Sequence, residues 1–238
     1  MSKRVHGLDI FRGYAIFLMV VFHFSFDLNN FHILTLDLKH DLFWHYFRYV
    51  IVSMFVFSAG ISLFLAHQNS INFKKVMKRV LILTAASLLV SIGSYTQFPK
   101  TWIYFGILHF FLFSSLFGLL FLRLPKLSLL IGIGIIIGYN LGFLHMHWLY
   151  DTLKYPLHLP LHYTEDLANI VPWFGVFLLG ISFASYKLHY KVFNNTFFNT
   201  QHRVNRYFSF AGQHSLLIYL IHQPILFTLF IAKNYLGL

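Results

Sequence analysis

The chain has 238 residues, of which 58% are hydrophobic and only 11% are charged, and its formal net charge is +11. So few charged residues cannot cover the surface of a soluble domain of this length, and the composition therefore predicts an integral membrane protein. The absence of cysteine excludes a disulfide framework, a thiolate metal site and a cysteine nucleophile, and in a membrane protein the excess of cations is more typical of orientation and lipid contact than of nucleic-acid binding.

Seven apolar runs approach the ~20 residues that a helix needs to cross the hydrocarbon core. In chain order they are residues 8–28, 44–66, 76–95, 102–122, 127–144, 169–184 and 212–232. The segment 145–168 is predicted to be a long loop, and 186–211 a polar connector. We predict an all-α bundle of about seven transmembrane helices that forms a single domain over residues 1–238.

The distribution of charge predicts the orientation of these helices. If the N-terminus is cytoplasmic, most of the 18 Lys and Arg residues lie on the inner side, as the positive-inside rule requires. Asp9 is then the only one of the 7 acidic residues on that side. The chain is therefore predicted to be a multi-pass protein of the cell (inner) membrane, with its C-terminus outside.

The first run carries four ionisable residues on one face. At about 100° per residue, Asp9, Arg12, His23 and Asp27 fall within an arc of roughly 60°. The His23–Asp27 pair, spaced i and i+4, lies ~16 Å further along the axis than the Asp9–Arg12 pair. A carboxylate one turn from an imidazole can hold its tautomer and raise its basicity, which favours His23 and Asp27 as a catalytic pair. The alternatives are that Asp9 and Arg12 only neutralise each other and that His23 and Asp27 cap the outer end.

The last run repeats this pattern. Ser215, Tyr219 and His222 share an arc of about 60°, with Gln223 beside it. Two hydroxyls on the face of a buried histidine favour a catalytic site, because ionisable residues within spanning helices are costly and usually mark function. His109 lies in the middle of the fourth run, and its catalytic and structural interpretations stay open.

Basic residues at the predicted inner side are candidates for binding an anionic cofactor, although topology and lipid anchoring explain them more simply. They are Lys74, Lys75, Lys78, Arg79, Arg203 and Arg206. Gly134 and Gly138 in the fifth run are typical of close helix packing rather than of a nucleotide fingerprint. No metal site is predicted, because His145 and His147 have no nearby carboxylate that would complete a ligand set.

Five motifs, in this order, resemble the heparan-alpha-glucosaminide N-acetyltransferase-like membrane family over nearly the whole chain. They are LDIFRGYAIFLMVVFHFSFDL at 8–28, FVFSAGISL at 55–63, IYFGILH at 103–109, VPWFGVFLLGI at 171–181 and GQHSLLIYLIHQPIL at 212–226. The resemblance implies a membrane-bound acyltransferase that moves an acetyl group from cytosolic acetyl-CoA to a sugar amine or hydroxyl on the outer side.

The resemblance also implies roles for particular residues. By position, Asp9, Arg12 and Gly13 belong to the opening motif, and His222 is the histidine of the closing motif. We also expect Asp9 and Arg12 to bind the cofactor. Eukaryotic members can have asparagine at the position of His23 and a histidine in the following loop. That loop offers His40 and His45 here, and spacing does not choose between them.

Further expectations concern the partners and the chemistry. His222 or His23 would deprotonate the acceptor, and Tyr219 or Ser215 would donate to the oxyanion. Glycines on the fifth helix make a homodimer plausible. The competing functions are a proton-coupled transporter or channel, which the lack of paired broken helices disfavours, and a haem protein with His23, His109 and His222 as axial ligands.

Overall fold

The computed structural model describes residues 4–38, 40–161, 164, 166–198 and 202–236, without the side chains of residues 147 and 234–236. Its regular elements within these ranges are all helices, which confirms the predicted all-α fold. The α-helices are α1 His6–Asn30, α2 Leu42–His67, α3 Phe73–Gln97, α4 Ile107–Phe117, α5 Pro125–Asn140, α6 His147–Leu153, α7 Ile170–Ser185, α8 Leu188–Phe193, α9 Arg203–Gln213 and α10 Ser215–Leu236. Two 3₁₀ turns cover Gly118–Phe121 and Thr196–Phe198.

Each of the seven apolar runs overlaps one of the apolar helices. The helices α1, α2, α3 and α10 are long and apolar enough to cross a membrane. The apolar helices at Ile107–Phe121, Pro125–Asn140 and Ile170–Ser185 are shorter. The structure therefore supports a membrane protein with four candidate spans. The count of seven spans and the sidedness of the termini stay predictions.

The helix boundaries differ from the predicted ones at several places. The fourth helix begins at Ile107 rather than at residue 102, where the carboxylate oxygen Oδ2 of Asp166 accepts a hydrogen bond from the amide of Ile107 at 3.1 Å. The predicted loop 145–168 contains α6, and the predicted connector 186–211 contains α8 and most of α9. Gly212 belongs to α9, which ends at Gln213, and His214 separates it from α10.

The described residues group into two compact units. One combines the chain up to Ser58 with the chain from Tyr190 onward, and the other comprises Ala59–His189. We call them the terminal unit and the central unit. The boundary at Ser58 falls within α2.

The terminal unit is built on α1. Its partner α9 runs antiparallel to it, because Asn205 near the start of α9 binds Tyr14 while Gly212 near its end meets Asp9. Helix α10 follows α1 in the same direction. A buried apolar cluster of Ile16, Met19 and Ile51 joins α1 to α2 and α10, with partly buried aromatic and aliphatic side chains packed around it.

The central unit is held by close packing of small residues. Gly132 of α5 faces Gly175 of α7 so closely that a Cβ on Gly132 would lie 2.9 Å from the carbonyl oxygen of Gly175. The predicted packing pair is thus misplaced: a Cβ on Gly134 would have no heavy atom within 4 Å, and the atoms nearest to a Cβ on Gly138 belong to the side chain of Leu144, which follows α5 in the chain. Helix periodicity explains the difference, because Gly132 lies on a different face of α5 from Gly134.

Candidate functional site

The first turn of α1 holds a buried carboxylate between two arginines. Asp9 is 4% exposed, and its Oδ2 lies 2.7 Å from Nε of Arg4 while its Oδ1 lies 3.3 Å from Nη1 of Arg12. An acidic side chain in the first turn also interacts favourably with the helix dipole. Arg4 was missed from the sequence, because it precedes the helix and therefore does not appear on the helical face that carries Asp9.

Two glycines bring α9 against this turn. A Cβ on Gly13 would overlap the carbonyl oxygen of Phe208, and a Cβ on Gly212 would overlap the carbonyl oxygen of Asp9. Only glycine permits this approach, since backbone atoms cannot rotate out of the way. Gly13 and Gly212, from the opening and closing motifs, are thus required for helix contact.

His222 lies buried on α10 with its tautomer fixed. Its Nδ1 is 2.6 Å from the backbone carbonyl oxygen of Tyr219, and the residue is 8% exposed. Because a carbonyl oxygen can only accept, Nδ1 carries the proton and Nε2 of the neutral ring carries the lone pair. That Nε2 is fully buried and has no hydrogen-bond partner within the described chain, so it is positioned as a proton acceptor.

A carboxylate and an amide complete the buried cluster between α1 and α10. Asp27 is fully buried, and its Oδ1 accepts a hydrogen bond of 2.9 Å from Nε2 of Gln223. The Asp27 Oδ2 and the Gln223 Oε1 are also buried and make no hydrogen bond to other described residues. Since buried polar groups are normally paired, these orphaned oxygens point to chemistry beyond packing.

The predicted contact within the pair His23 and Asp27 is not formed. The partly buried ring of His23 packs edge to face on His222 instead, with 4.8 Å between the ring centroids. The hydrogen bond that the i, i+4 spacing predicted for Asp27 is made across the helix interface by Gln223. The histidine contact also disfavours the haem hypothesis for this pair, because two axial imidazoles lie on opposite faces of a porphyrin.

The two predicted hydroxyls lie at different distances from His222. Tyr219 is one turn away, with its ring centroid 5.7 Å from that of His222. Ser215 is the first residue of α10, and a separation of seven residues places it ~10 Å down the helix axis. The structure therefore brings Tyr219, but not Ser215, to the histidine.

His109 forms hydrogen bonds at the start of α4 in the central unit. Its Nδ1 accepts a hydrogen bond from the amide of Gly106 at 3.2 Å, and its Nε2 lies 3.2 Å from Oγ of Ser91. Both ring nitrogens are thus engaged, in the first turn of a helix rather than in the middle of a span. This arrangement is typical of a structural histidine.

The two histidines that the sequence placed in the loop after α1 are exposed, and His45 lies in the first turn of α2. Nδ1 of His40 lies 3.0 Å from Oδ1 of Asp37, and the ring of His45 packs against Tyr49 with 4.7 Å between centroids. Neither contact involves the buried cluster. The structure therefore gives no geometric reason to prefer His40 or His45 to His222 as the base.

The predicted cofactor-binding cations divide between the units. In the central unit, Arg79 donates to Oγ of Ser115 at 2.9 Å, whereas the three lysines are exposed at the start of α3. These are Lys74, Lys75 and Lys78. In the terminal unit, Arg203 and Arg206 are exposed in the first turn of α9.

A cavity of about 530 Å³ lies beside the Asp9 cluster and was not anticipated from the sequence. Its polar lining includes Arg4, His6, Asn194 and Asn195, and its apolar wall includes Phe193. The segment that contributes the asparagines carries no apolar periodicity, so sequence patterns gave it only as a connector.

The fold and this site define a class: a helical membrane protein in which histidine, aspartate and amide side chains are buried between the first and last helices. The model of the family described as heparan-alpha-glucosaminide N-acetyltransferase, catalytic, matches residues 4–224. The chain belongs to this family, as its motifs suggested. No curated protein and no solved structure matches it. Membership indicates a membrane acetyltransferase-like function, and the match includes every residue of the buried cluster.

Proposed function

We propose that the protein is a membrane-bound acyltransferase that moves an acetyl group from cytosolic acetyl-CoA to a sugar amine or hydroxyl on the outer side of the membrane. The observation that carries the proposal is the buried Nε2 of His222, which is free to accept a proton because Nδ1 is held by the Tyr219 carbonyl. Membership of an acetyltransferase family supplies the reaction type.

His222 acts as the general base in this proposal. The acceptor nitrogen or oxygen attacks the carbonyl carbon of the thioester, and its proton passes to Nε2 of His222. Collapse of the tetrahedral adduct breaks the carbon–sulfur bond. The electron pair leaves on sulfur, and the proton from His222 converts the thiolate to free CoA.

The remaining members of the cluster have supporting roles. Asp27 is a positioning residue, since it binds Gln223 and so orients the α10 turn next to His222. His23 packs on the His222 ring and restrains its rotation. Tyr219 is the better candidate for the oxyanion donor because its ring, unlike Ser215, lies one turn from His222.

The donor side of the proposal rests on cations in the terminal unit. Arg4 and Arg12 flank Asp9, so the cluster keeps a net positive charge beside a 530 Å³ cavity. Guanidinium groups suit the phosphates of CoA, because their donors match two phosphate oxygens at once. Arg203 and Arg206 add positive charge on α9, and the α3 lysines and Arg79 remain further candidates.

The test is release of free CoA from acetyl-CoA by the detergent-purified protein, with glucosamine and other amino sugars as acceptors. His222→Ala should abolish acceptor-dependent release, and Tyr219→Phe should lower it about 10²-fold or more, as for removal of an oxyanion donor. His214→Ala is the matched control, since His214 is exposed eight residues earlier in the same motif. Release that is unchanged in His222→Ala would refute the assignment.

Sidedness needs reconstitution in vesicles. Acetyl-CoA supplied only on the side of the N-terminus should acetylate an impermeant amino sugar supplied only on the opposite side. Product formed solely when both substrates share one side would refute transfer across the membrane.

A second candidate function is proton-coupled transport, which one observation favours. Asp27 is a fully buried carboxylate with an unpaired oxygen between two helices, and such residues mark proton paths in transporters. A pH gradient across the same vesicles should then drive solute flux in the absence of acetyl-CoA. Flux lost in Asp27→Asn, together with no CoA release, would favour transport.

A further inference from the structure

A second cavity, of about 280 Å³, lies within the central unit. Three tyrosines line it, Tyr104 from the segment before α4, Tyr139 near the end of α5 and Tyr150 of α6. Thr164 and Asn169 contribute polar groups from the segment that leads into α7. In the topology predicted from charge, this cavity opens on the outer side of the membrane.

Part of the polar lining is committed to the fold. The hydroxyl of Tyr150 donates to the carbonyl oxygen of Pro160 at 2.5 Å, and Oγ1 of Thr164 donates to the carbonyl oxygen of Trp102 at 2.8 Å. The first bond ties α6 to Pro160, and the second ties Thr164 to the segment between α3 and α4. The cavity wall is therefore a built structure rather than a gap between loose loops.

Three other polar groups of the lining form no hydrogen bond with the described residues. The hydroxyls of Tyr104 and Tyr139 and the side-chain amide of Asn169 make no hydrogen bond with the described part of the chain, and Asn169 does not cap α7 with its side chain. A hydroxyl both donates and accepts, and an amide offers two donors and an acceptor. Three such groups around one cavity can bind a ligand that carries several hydroxyls.

The tyrosine rings favour the same kind of ligand. Tyr104 and Tyr150 lie nearly parallel, with 6.3 Å between centroids and 28° between planes. The negative face of an aromatic ring attracts polarised C–H bonds, which a pyranose presents on one face while its hydroxyls point outward. The volume is slightly below the ~300–1,000 Å³ of pockets for drug-sized ligands, so it suits a single sugar ring.

The charges near the cavity disfavour a cationic ligand. Three tyrosines can also bind a quaternary ammonium group, but the ammonium nitrogen of Lys154 already lies 5.7 Å from the Tyr150 ring centroid. No Asp or Glu occurs among the described lining residues. The Asp151 carboxylate nearby is already paired with Lys154 at 2.8 Å, so the lining provides no carboxylate for a cationic ligand.

We propose that this tyrosine-lined cavity of the central unit is a binding site for a neutral pyranose ring. The inference rests on the proposed function in that it assigns a neutral sugar of a glycan acceptor to this site, distinct from the amine or hydroxyl that receives the acetyl group. Binding of the sugar requires neither acetyl-CoA nor His222.

The experiment measures saturation-transfer NMR of methyl β-glucopyranoside and methyl N-acetyl-β-glucosaminide with the full-length protein in detergent. Choline and glucosamine serve as cationic competitors. Tyr104→Ala should weaken glycoside binding about tenfold or more, and Tyr104→Phe and Asn169→Ala about threefold each, because each removes one hydrogen-bonding group. Tyr155→Ala, an exposed tyrosine outside the lining, should leave binding unchanged.

The outcomes separate this proposal from the proposed function. Glycoside binding by the unmodified protein that is retained in His222→Ala would uphold the sugar site, and the absence of CoA release from the unmodified protein would refute acyl transfer. CoA release without glycoside binding would do the reverse. The site is also refuted if choline displaces the glycosides at lower concentration, or if Tyr104→Phe and Asn169→Ala, which keep the packing largely intact, both bind like the unmodified protein.

Discussion

A single methyl group at Gly212 should separate α9 from α1. A Cβ at this position would overlap the carbonyl oxygen of Asp9 and lie 2.9 Å from the amide nitrogen of Gly13. Both obstacles are backbone atoms, so no rotamer change can relieve the overlap. In Gly212→Ala the two helices must move apart, and the backbone that carries Asp9 must move with them.

The expected loss follows from the cost of overpacking, which is about 1–3 kcal/mol in a well-packed interior. For a chain of this size, each kcal/mol shifts the melting temperature by about 2–4 °C. Gly212→Ala should therefore melt about 2–12 °C below the unmodified protein, measured by intrinsic fluorescence in detergent.

Gly134 provides the matched control for this substitution. It also lies within a helix, but no heavy atom is within 4 Å of a Cβ built there. Alanine is favoured over glycine in helices by about 0.8–1.0 kcal/mol, so Gly134→Ala should melt at the same or a higher temperature. If the two variants melt alike, the close contact of Gly212 with Asp9 does not exist in solution and the α1–α9 packing is wrong.

Three further predictions concern buried polar groups. Gln223→Leu removes the hydrogen bond to Asp27 and should lower the free energy of unfolding by about 1–3 kcal/mol. The double variant Asp27→Leu/Gln223→Leu should recover most of this loss. If the losses of the two single variants simply add in the double variant, the two side chains are not in contact. Arg4→Ala should cost under ~1 kcal/mol because the Arg4 side chain is 55% exposed. Asp9→Ala should cost more, because it removes the buried carboxylate that contacts two arginines at a helix N-terminus; equal losses would refute this. Burial lowers the pKa of His189 below its ordinary 6.5. The unfolded chain therefore binds the proton more readily, and stability is lost as the pH falls through 6.5. His189→Gln should lose less stability than the unmodified protein between about pH 7 and pH 5, and identical pH profiles would contradict this prediction.

The sequence predicted the apolar helices well and the polar ones poorly. Runs of apolar residues marked every long helix, because burial in lipid or in the bundle requires them. Helix α9 was missed for a physical reason: the residues it buries are Asn205, Ser209 and Gly212. Their spacing is helical, but their polarity hides the stripe from any search for apolar periodicity.

The sequence named the side chains of the buried cluster but did not predict which of them contact each other. A helical wheel places His23 and Asp27 on one face of α1, yet it contains no information about what faces them from another helix. Gln223 takes the carboxylate of Asp27, and His222 takes the ring of His23. Pairing across an interface depends on the relative height of two helices, which sequence spacing within one helix cannot supply.

The close approach of Gly212 to Asp9 explains why residues at opposite ends of the chain form one site. Gly212 is followed within three residues by the start of α10, whose direction is reversed relative to α9 at His214. The height of His222 along α1 is therefore set by where Gly212 meets Asp9. A methyl group at Gly212 should accordingly shift His222 relative to His23, although it lies ten residues away. In the proposed enzyme, Gly212→Ala should reduce CoA release even in the fraction of protein that remains folded. If the variant melts at a lower temperature but releases CoA at the wild-type rate, the contact at Gly212 stabilises the fold without positioning His222.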